Sequence, residues 1–138
     1  MFGRKTKKKL HHHIDTLIGS KTHVIGSINF SGGVRVDGKV SGDVISSGNE
    51  NCTLVLSDKG VIEGKIQVTN VLVNGMVTGP IHAKGYIELQ SNAKVSGDVR
   101  YGSMEIQLGA SVEGKLIHKG VALPEAEEPV KLIPTKKS

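Results

Sequence analysis

One five-residue motif recurs six times along this 138-residue chain, and it restricts the fold more than any other feature. The motif is an apolar residue, any residue, glycine, any residue and a second apolar residue, as in residues 40–44. Successive central glycines lie 16, 22, 15, 18 and 17 residues apart. A repeat this short cannot bury its apolar side alone, so similar repeats must stack around one shared core. The central glycines are Gly26, Gly42, Gly64, Gly79, Gly97 and Gly114.

The side chains within a repeat alternate as they do in β-strands. Between residues 34 and 44, valine and glycine occupy every even position and polar residues every odd one. This is the pattern of a strand with one buried face. Eleven residues are long for one strand, and glycine weakens a strand interior. Gly38 and Gly42 are therefore predicted to mark bends between shorter strands.

A second pair of apolar residues precedes each motif. The second residue of this pair lies four positions before the first residue of the motif in two repeats. It lies six positions before it in the other four, as from Leu89 to Val95. Both spacings are even, so the insertion leaves the inward and outward phase of the strands unchanged. In the first repeat, Leu17 and Ile18 are assigned to this pair.

These features predict an all-β chain folded as a right-handed parallel β-helix of about six rungs with disordered N- and C-terminal arms. Valine and isoleucine make up 28 of the 138 residues, and no helical pattern separates the repeats, which excludes βαβ units. Right-handed winding is favoured because crossovers are generally right-handed and because the six-residue sub-repeats of left-handed β-helices are missing. An antiparallel β-sandwich fits the number of strands but not the single repeated motif.

The charge divides the chain into three parts. Residues 1–13 form a basic arm with five Lys and Arg and no acid, whereas residues 14–122, the predicted β-helix core, hold ten basic and ten acidic residues. Residues 123–138 are proline-rich and are predicted to be a disordered tail. A basic arm on a neutral body indicates contact with a polyanion such as a lipid surface. The body shows no basic face with interleaved aromatics, so no nucleic-acid partner is expected.

Three segments of the chain resemble the bactofilins, a family of bacterial cytoskeletal proteins. Residues 15–28 resemble the first rung of that family, residues 33–44 the second and residues 71–79 the fourth. The resemblance implies a right-handed β-helix that polymerises without nucleotide into non-polar filaments, joined head-to-head and tail-to-tail. It also implies a location on the inner face of the cytoplasmic membrane and a scaffolding role for cell-wall and cell-shape proteins. The run His11–His13 departs from the pattern of the family.

The two ends of the β-helix are the predicted polymer interface. A solenoid leaves unpaired backbone groups and a cross-section of its core at each end, and no amphipathic helix is present in the sequence to cap them. The alternative is that the terminal arms cover the ends. The predicted interface residues are Leu17, Ile18, Val24 and Phe30 at the first rung and Met104, Ile106, Leu108, Leu116 and Val121 at the last.

The N-terminal arm is the predicted membrane-binding segment, with a plain solvated tail and a nuclear-localisation or nucleic-acid-binding segment as the alternatives. Apolar residues at its tip lie beside the basic run, which suits an anionic membrane surface. The predicted membrane-binding residues are Met1, Phe2, Arg4, Lys5, Lys7, Lys8 and Lys9.

The sequence does not predict catalysis, a metal or a cofactor. It contains no glycine-rich phosphate loop of the GxxxxGK[ST] or GxGxxG type. His23, His82 and His118 lie at different offsets from the repeat glycines, so they are not expected to converge. The single Cys52 cannot form an intramolecular disulfide and fits a reducing cytosol. A β-helix enzyme of the acyltransferase type is the alternative function.

Overall fold

The computed structural model describes residues 14–47 and 51–119, which form fifteen short strands and no helix. No helix long and apolar enough to cross a membrane therefore occurs in these two segments. The strands are β1 (Thr16–Ile18), β2 (His23–Ile25), β3 (Ile28–Phe30), β4 (Gly33–Val36), β5 (Lys39–Ser41), β6 (Val44–Ser46), β7 (Thr53–Leu56), β8 (Val61–Glu63), β9 (Ile66–Val73), β10 (Met76–Thr78), β11 (Ile81–Leu89), β12 (Lys94–Ser96), β13 (Val99–Ile106), β14 (Ser111–Glu113) and β15 (Leu116–His118).

Every strand pair is parallel and joins equivalent positions of successive repeats, which makes a β-solenoid with three faces. The first face contains β1, β4, β7 and the C-terminal halves of β9, β11 and β13. The second contains β2, β5, β8, β10, β12 and β14. The third contains β3, β6, the N-terminal halves of β9, β11 and β13, and then β15. The rungs comprise residues 16–30, 33–46, 53–68, 70–83, 86–101 and 103–118.

The predicted all-β parallel β-helix of about six rungs is confirmed, and the parallel pairing excludes the antiparallel sandwich. Right-handed winding stays a prediction. The bends expected inside residues 34–44 are present, since Gly38 and Gly42 lie between β4, β5 and β6.

The core is a set of apolar columns that run from rung to rung. On the second face, Val40 pairs with Ile62 and Ile62 with Val77, and all three side chains are fully buried. Full burial of such a side chain contributes roughly 1.5–3 kcal/mol. Each inner rung therefore adds several kcal/mol of apolar burial, but only where a neighbouring rung covers it.

The assignment of Leu17 and Ile18 as the apolar pair of the first repeat is wrong. Thr16 pairs with Val34 and Ile18 with Val36, so Thr16 and Ile18 occupy the two inward positions. Adjacent residues of a strand point to opposite faces, and Leu17 is accordingly exposed. The even spacing from Ile18 to the next motif still holds.

The six motif glycines stack at the corner between the second and third faces. All six have positive φ, from 124° at Gly26 to 157° at Gly42 and Gly64. From the second rung onward, a Cβ on each would collide with the main-chain carbonyl of the motif glycine one rung earlier. The amide of Gly42 donates to the carbonyl of Glu63 in the next rung at 2.9 Å. Only glycine provides both the backbone conformation and the close approach that this corner requires.

Replacing Gly79 by alanine is expected to lower the free energy of unfolding by at least about 2 kcal/mol. The new Cβ would lie 2.8 Å from the carbonyl carbon of Gly64, at a residue whose φ is 140°. Gly19→Ala is the matched control, because no atom lies within 4 Å of a Cβ at Gly19. Thermal or denaturant unfolding at equal protein concentration measures both variants. Equal stability of the two variants would contradict this role of the glycine corner.

Candidate polymerisation surfaces

Each end of the solenoid presents three strands that pair on one side only. At the first end, β1, β2 and β3 pair only with β4, β5 and β6 of the second rung. At the other end, β14 pairs only with β12, β15 only with the N-terminal half of β13, and the C-terminal half of β13 only with β11. Parallel strands direct their N–H and C=O groups alternately to both sides, so each end displays a row of backbone donors and acceptors. Within residues 14–47 and 51–119, no further strand covers either row.

The first end combines this backbone edge with apolar side chains. Of the predicted interface residues there, Ile18 is buried, Val24 and Phe30 are half-buried against the core, and Leu17 is exposed. Ile25, which the sequence reasoning missed, is 82% exposed. The signal that could have found Ile25 is its place in a row that is otherwise polar. The other members of that row are Ser41, Glu63, Thr78, Ser96 and Glu113.

The last end exposes residues whose counterparts in earlier rungs form the core. Ile106 is 49% exposed, whereas Leu89, which occupies the same position one rung earlier, is fully buried. Leu116 is likewise exposed, and its counterpart Val99 is fully buried. Met104 is half-buried against the core, and the predicted interface residue Val121 lies outside the described residues.

Leu108 is the most exposed large apolar residue in the described part of the chain, at 96%. It lies in a turn closed by a hydrogen bond from the amide of Ala110 to the carbonyl of Gln107, at 3.2 Å. The turn one rung earlier has the same bond, from Ala93 to Gln90 at 2.9 Å, with exposed Ser91 in the place of Leu108. An inner rung thus has a polar residue where the end rung has leucine.

The three histidines of the solenoid do not form one site. His23 lies on the second face, with Nε2 2.8 Å from Oγ of Ser41. His82 lies on the third face, with Nε2 3.0 Å from Nζ of Lys119, and its pKa is lowered by burial and then by the nearby positive charges. His118 stacks on Tyr101 with ring centroids 5.4 Å apart. Within the described ranges, no three His, Cys, Asp or Glu side chains are grouped closely enough to hold a metal ion.

The predicted membrane-binding residues lie outside the part of the chain that the structure describes. They are Met1, Phe2, Arg4, Lys5, Lys7, Lys8 and Lys9. The run His11–His13 and the proline-rich tail lie outside it as well. Cys52 is fully buried, and its Sγ lies 3.9 Å from the carbonyl oxygen of Ser47.

The fold is a parallel β-solenoid whose two end rungs have an unpaired strand edge within the described residues. Comparison with known proteins identifies the family: residues 16–117 match the family model "Bactofilin: Polymer-forming cytoskeletal", and the chain belongs to the bactofilin family. The family that residues 15–28, 33–44 and 71–79 resemble is thereby confirmed.

Two curated relatives come from Myxococcus xanthus. The chain is 31% identical to bactofilin BacP over 124 residues, which cover 88% of this chain and 50% of BacP. It is 33% identical to bactofilin BacO over 102 residues, which cover 74% of this chain and 78% of BacO. The chain thus spans about half the length of BacP. No solved structure gives a significant match.

Replacing Leu108 by lysine is expected to weaken assembly while leaving the subunit folded. Burial of a leucine contributes roughly 1.5–3 kcal/mol, so its loss should raise the critical concentration for assembly by about tenfold or more. Ser91→Lys is the matched control, because it places the same charge in the equivalent turn one rung earlier. Circular dichroism checks the fold, and sedimentation measures the critical concentration. Normal assembly of folded Leu108→Lys would exclude Leu108 from the junction.

Proposed function

We propose that this chain is the subunit of a bacterial cytoskeletal scaffold that assembles end to end without nucleotide. Its non-polar filaments would lie on the inner face of the cytoplasmic membrane and organise cell-wall and cell-shape proteins. Membership of a polymer-forming family supports self-association. The main support for end-to-end assembly is that Ile106 and Leu116 are exposed beside an unpaired strand edge, at positions that are buried in the inner rungs.

End-to-end contact would give each end rung the second neighbouring rung that every inner rung already has. A second subunit can supply backbone partners for the unpaired strand edge and cover the exposed apolar cross-section. In a non-polar filament, like ends meet through a two-fold junction, so each apolar residue contributes twice. Such a junction derives its free energy from burial, and the sequence contains no phosphate loop that would couple assembly to a nucleotide.

A structural role also fits the scattered polar side chains of the described residues. His23 and His82 lie on different faces, and the partner of His82 is a lysine, which cannot act as a general base while charged. The proposal therefore assigns no catalytic residue to this chain.

Purified protein is expected to form filaments in plain buffer, because end burial alone supplies the driving force. Sedimentation and electron microscopy should give the same polymer with and without ATP or GTP and magnesium. Addition of a chelator should leave the pellet unchanged. A strict requirement for nucleotide would contradict this part of the proposal.

The proposed membrane anchor is the basic arm, whose binding energy is small for a single subunit. Five basic residues near an anionic surface contribute at most about 1 kcal/mol each. Burial of Met1 and Phe2 adds roughly 1.5–3 kcal/mol each, and ordering the arm opposes both contributions. A filament repeats the arm along its length, and linked sites bind far more tightly than single ones. Firm membrane binding should therefore need both the arm and the polymer.

Deletion of residues 1–9 is expected to abolish binding to anionic vesicles while leaving filaments intact. Full-length protein and folded Leu108→Lys, kept below its raised critical concentration so that it is unassembled, are compared with it by vesicle co-sedimentation. The assembly-defective variant should bind far less than the filament, and salt should weaken both by screening the charges. Normal binding after the deletion would show that the arm is only a solvated tail. Equally tight binding of the unassembled variant would exclude avidity as the mechanism.

A further inference from the structure

The third face and its turns carry half of the basic residues of the solenoid, grouped in one cluster. The equal numbers of basic and acidic residues in the core as a whole do not reveal this cluster. We call this cluster the basic surface. It extends over the last four rungs and contains one carboxylate, that of Asp98. The pKa of His82 within it is lowered by burial and then by Lys119, Arg100 and Lys84, all of which disfavour the charged imidazole. The residues of the basic surface are Lys65, Lys84, Arg100, Lys115 and Lys119.

The strand register brings these cations together. Gln67, His82 and Arg100 occupy one outward row in three successive rungs. Lys65 and Lys115 precede the row on the side of the glycine corner, and Lys84 and Lys119 follow it on the other side. Rungs are roughly 4.8 Å apart, so five positive charges fall within about 15 Å along the axis. A shallow cavity of about 230 Å³ lies between Lys65, His82 and Arg100.

These cations have no acidic partners in the described part of the chain. The ion pairs found there are Arg35–Asp37 and Lys39–Glu63, neither of which involves the basic surface. The nearby carboxylates of Asp43 and Asp98 accept the backbone N–H groups of Lys65 and Lys115, each at 2.9 Å. Those carboxylates thus hold the glycine corner, and the lysine and arginine side chains remain available to an external anion.

The other two faces differ in charge. The first face carries Glu88 and Glu105, whose Oε1 atoms lie 3.1 and 3.0 Å from the hydroxyl oxygen of Tyr86. On the second face and its turns, the charges nearly balance: the basic residues are Lys21, Lys39, Lys59 and Lys94, and the acidic residues are Asp58, Glu63 and Glu113. The solenoid therefore has one basic side.

Both terminal segments join the solenoid at the edge of the third face. The chain enters beside Gly33 of the second rung, with the amide of Asp15 donating to the Gly33 carbonyl at 2.8 Å. Gly33 begins β4, just after the corner between the third and first faces. At the other end, the third face ends at Lys119, whose amide donates to the carbonyl of Tyr101 at 2.8 Å. The basic arm is thus attached at the margin of the face that carries the basic surface.

We infer that the basic surface is the side of the filament that lies against an anionic lipid bilayer. The inference rests on the membrane association proposed above and adds a second contact to it. Anionic headgroups match five cations that have no acidic partner among the described residues, and the basic arm is attached at the edge of the same face. The two-fold axes of the junctions would then pass through the third face, so that successive subunits turn the basic surface to the same bilayer.

The test removes three charges from the basic surface and compares this with the removal of three charges elsewhere. The variant Lys65→Gln, Arg100→Gln, Lys119→Gln alters exposed side chains of the third face only. Its control is Lys21→Gln, Lys59→Gln, Lys94→Gln, which changes the net charge equally at exposed residues of the second face and its turns. Both keep the arm, and circular dichroism and electron microscopy confirm folding and filaments.

The third-face variant is expected to bind vesicles containing anionic phospholipid at least about tenfold more weakly than the control variant. Equal binding of the two variants would overturn the inference and leave the arm-based proposal standing. Failure of the unaltered protein to bind vesicles would instead refute the proposed membrane association itself. If the third-face variant loses duplex DNA binding or filament bundling but keeps vesicle binding, the surface serves another partner and the inference is overturned.

A second readout reports which face meets the lipid. A fluorophore sensitive to polarity is attached to Gln67→Cys on the third face or to Thr78→Cys on the second. The buried native Cys52 should stay unlabelled in the folded protein. Vesicle binding should shift the emission of the Gln67 label to shorter wavelength and leave the Thr78 label unchanged. The opposite pattern, or equal shifts, would overturn the inference.

Discussion

The close approach of successive rungs at the glycine corner is the constraint on which the rest of the structure depends. Each motif glycine from Gly42 onward lies so near the carbonyl of the previous one that no side chain fits between them. This contact fixes the register between successive rungs. The register in turn aligns the apolar columns, the polar rows and the charges. Within residues 14–47 and 51–119, no strand or helix closes the two ends of the solenoid. The same feature that builds the core therefore leaves two surfaces on which another subunit could continue it.

The fold could be predicted from the sequence because the signals for it are local and periodic. The glycine motif and the even insertions identify strands, bends and rung number without knowledge of any long-range contact. The error at Leu17 and Ile18 has a local cause as well: two adjacent apolar residues cannot both point inward, and only the pairing of Thr16 with Val34 shows which one does. Val24, Phe30, Met104, Ile106 and Leu116 lie in the end rungs, where the sequence placed them.

Features that depend on register across rungs of different length escaped the sequence reasoning. Ile25 is not such a feature, because it holds the second position of the repeated motif, where the other five repeats have a polar residue, and the sequence alone could have singled it out. The basic surface is one. Lys65 and Lys119 are 54 residues apart in the chain and lie on one face because the intervening rungs bring the third face back each time. Averaged over the core, the charges cancel, and only their placement shows that the third face is basic.

The central claim is that the polymer continues the solenoid through its ends, and the axial repeat of the filament tests it most directly. Six rungs at roughly 4.8 Å give about 29 Å of filament per subunit, with strands perpendicular to the filament axis. Cryo-electron microscopy or fibre diffraction of purified filaments should show a meridional spacing near 4.8 Å and an axial rise of about 29 Å per subunit. Strands that run along the filament axis, or subunits joined through their faces with no such rise, would contradict the account.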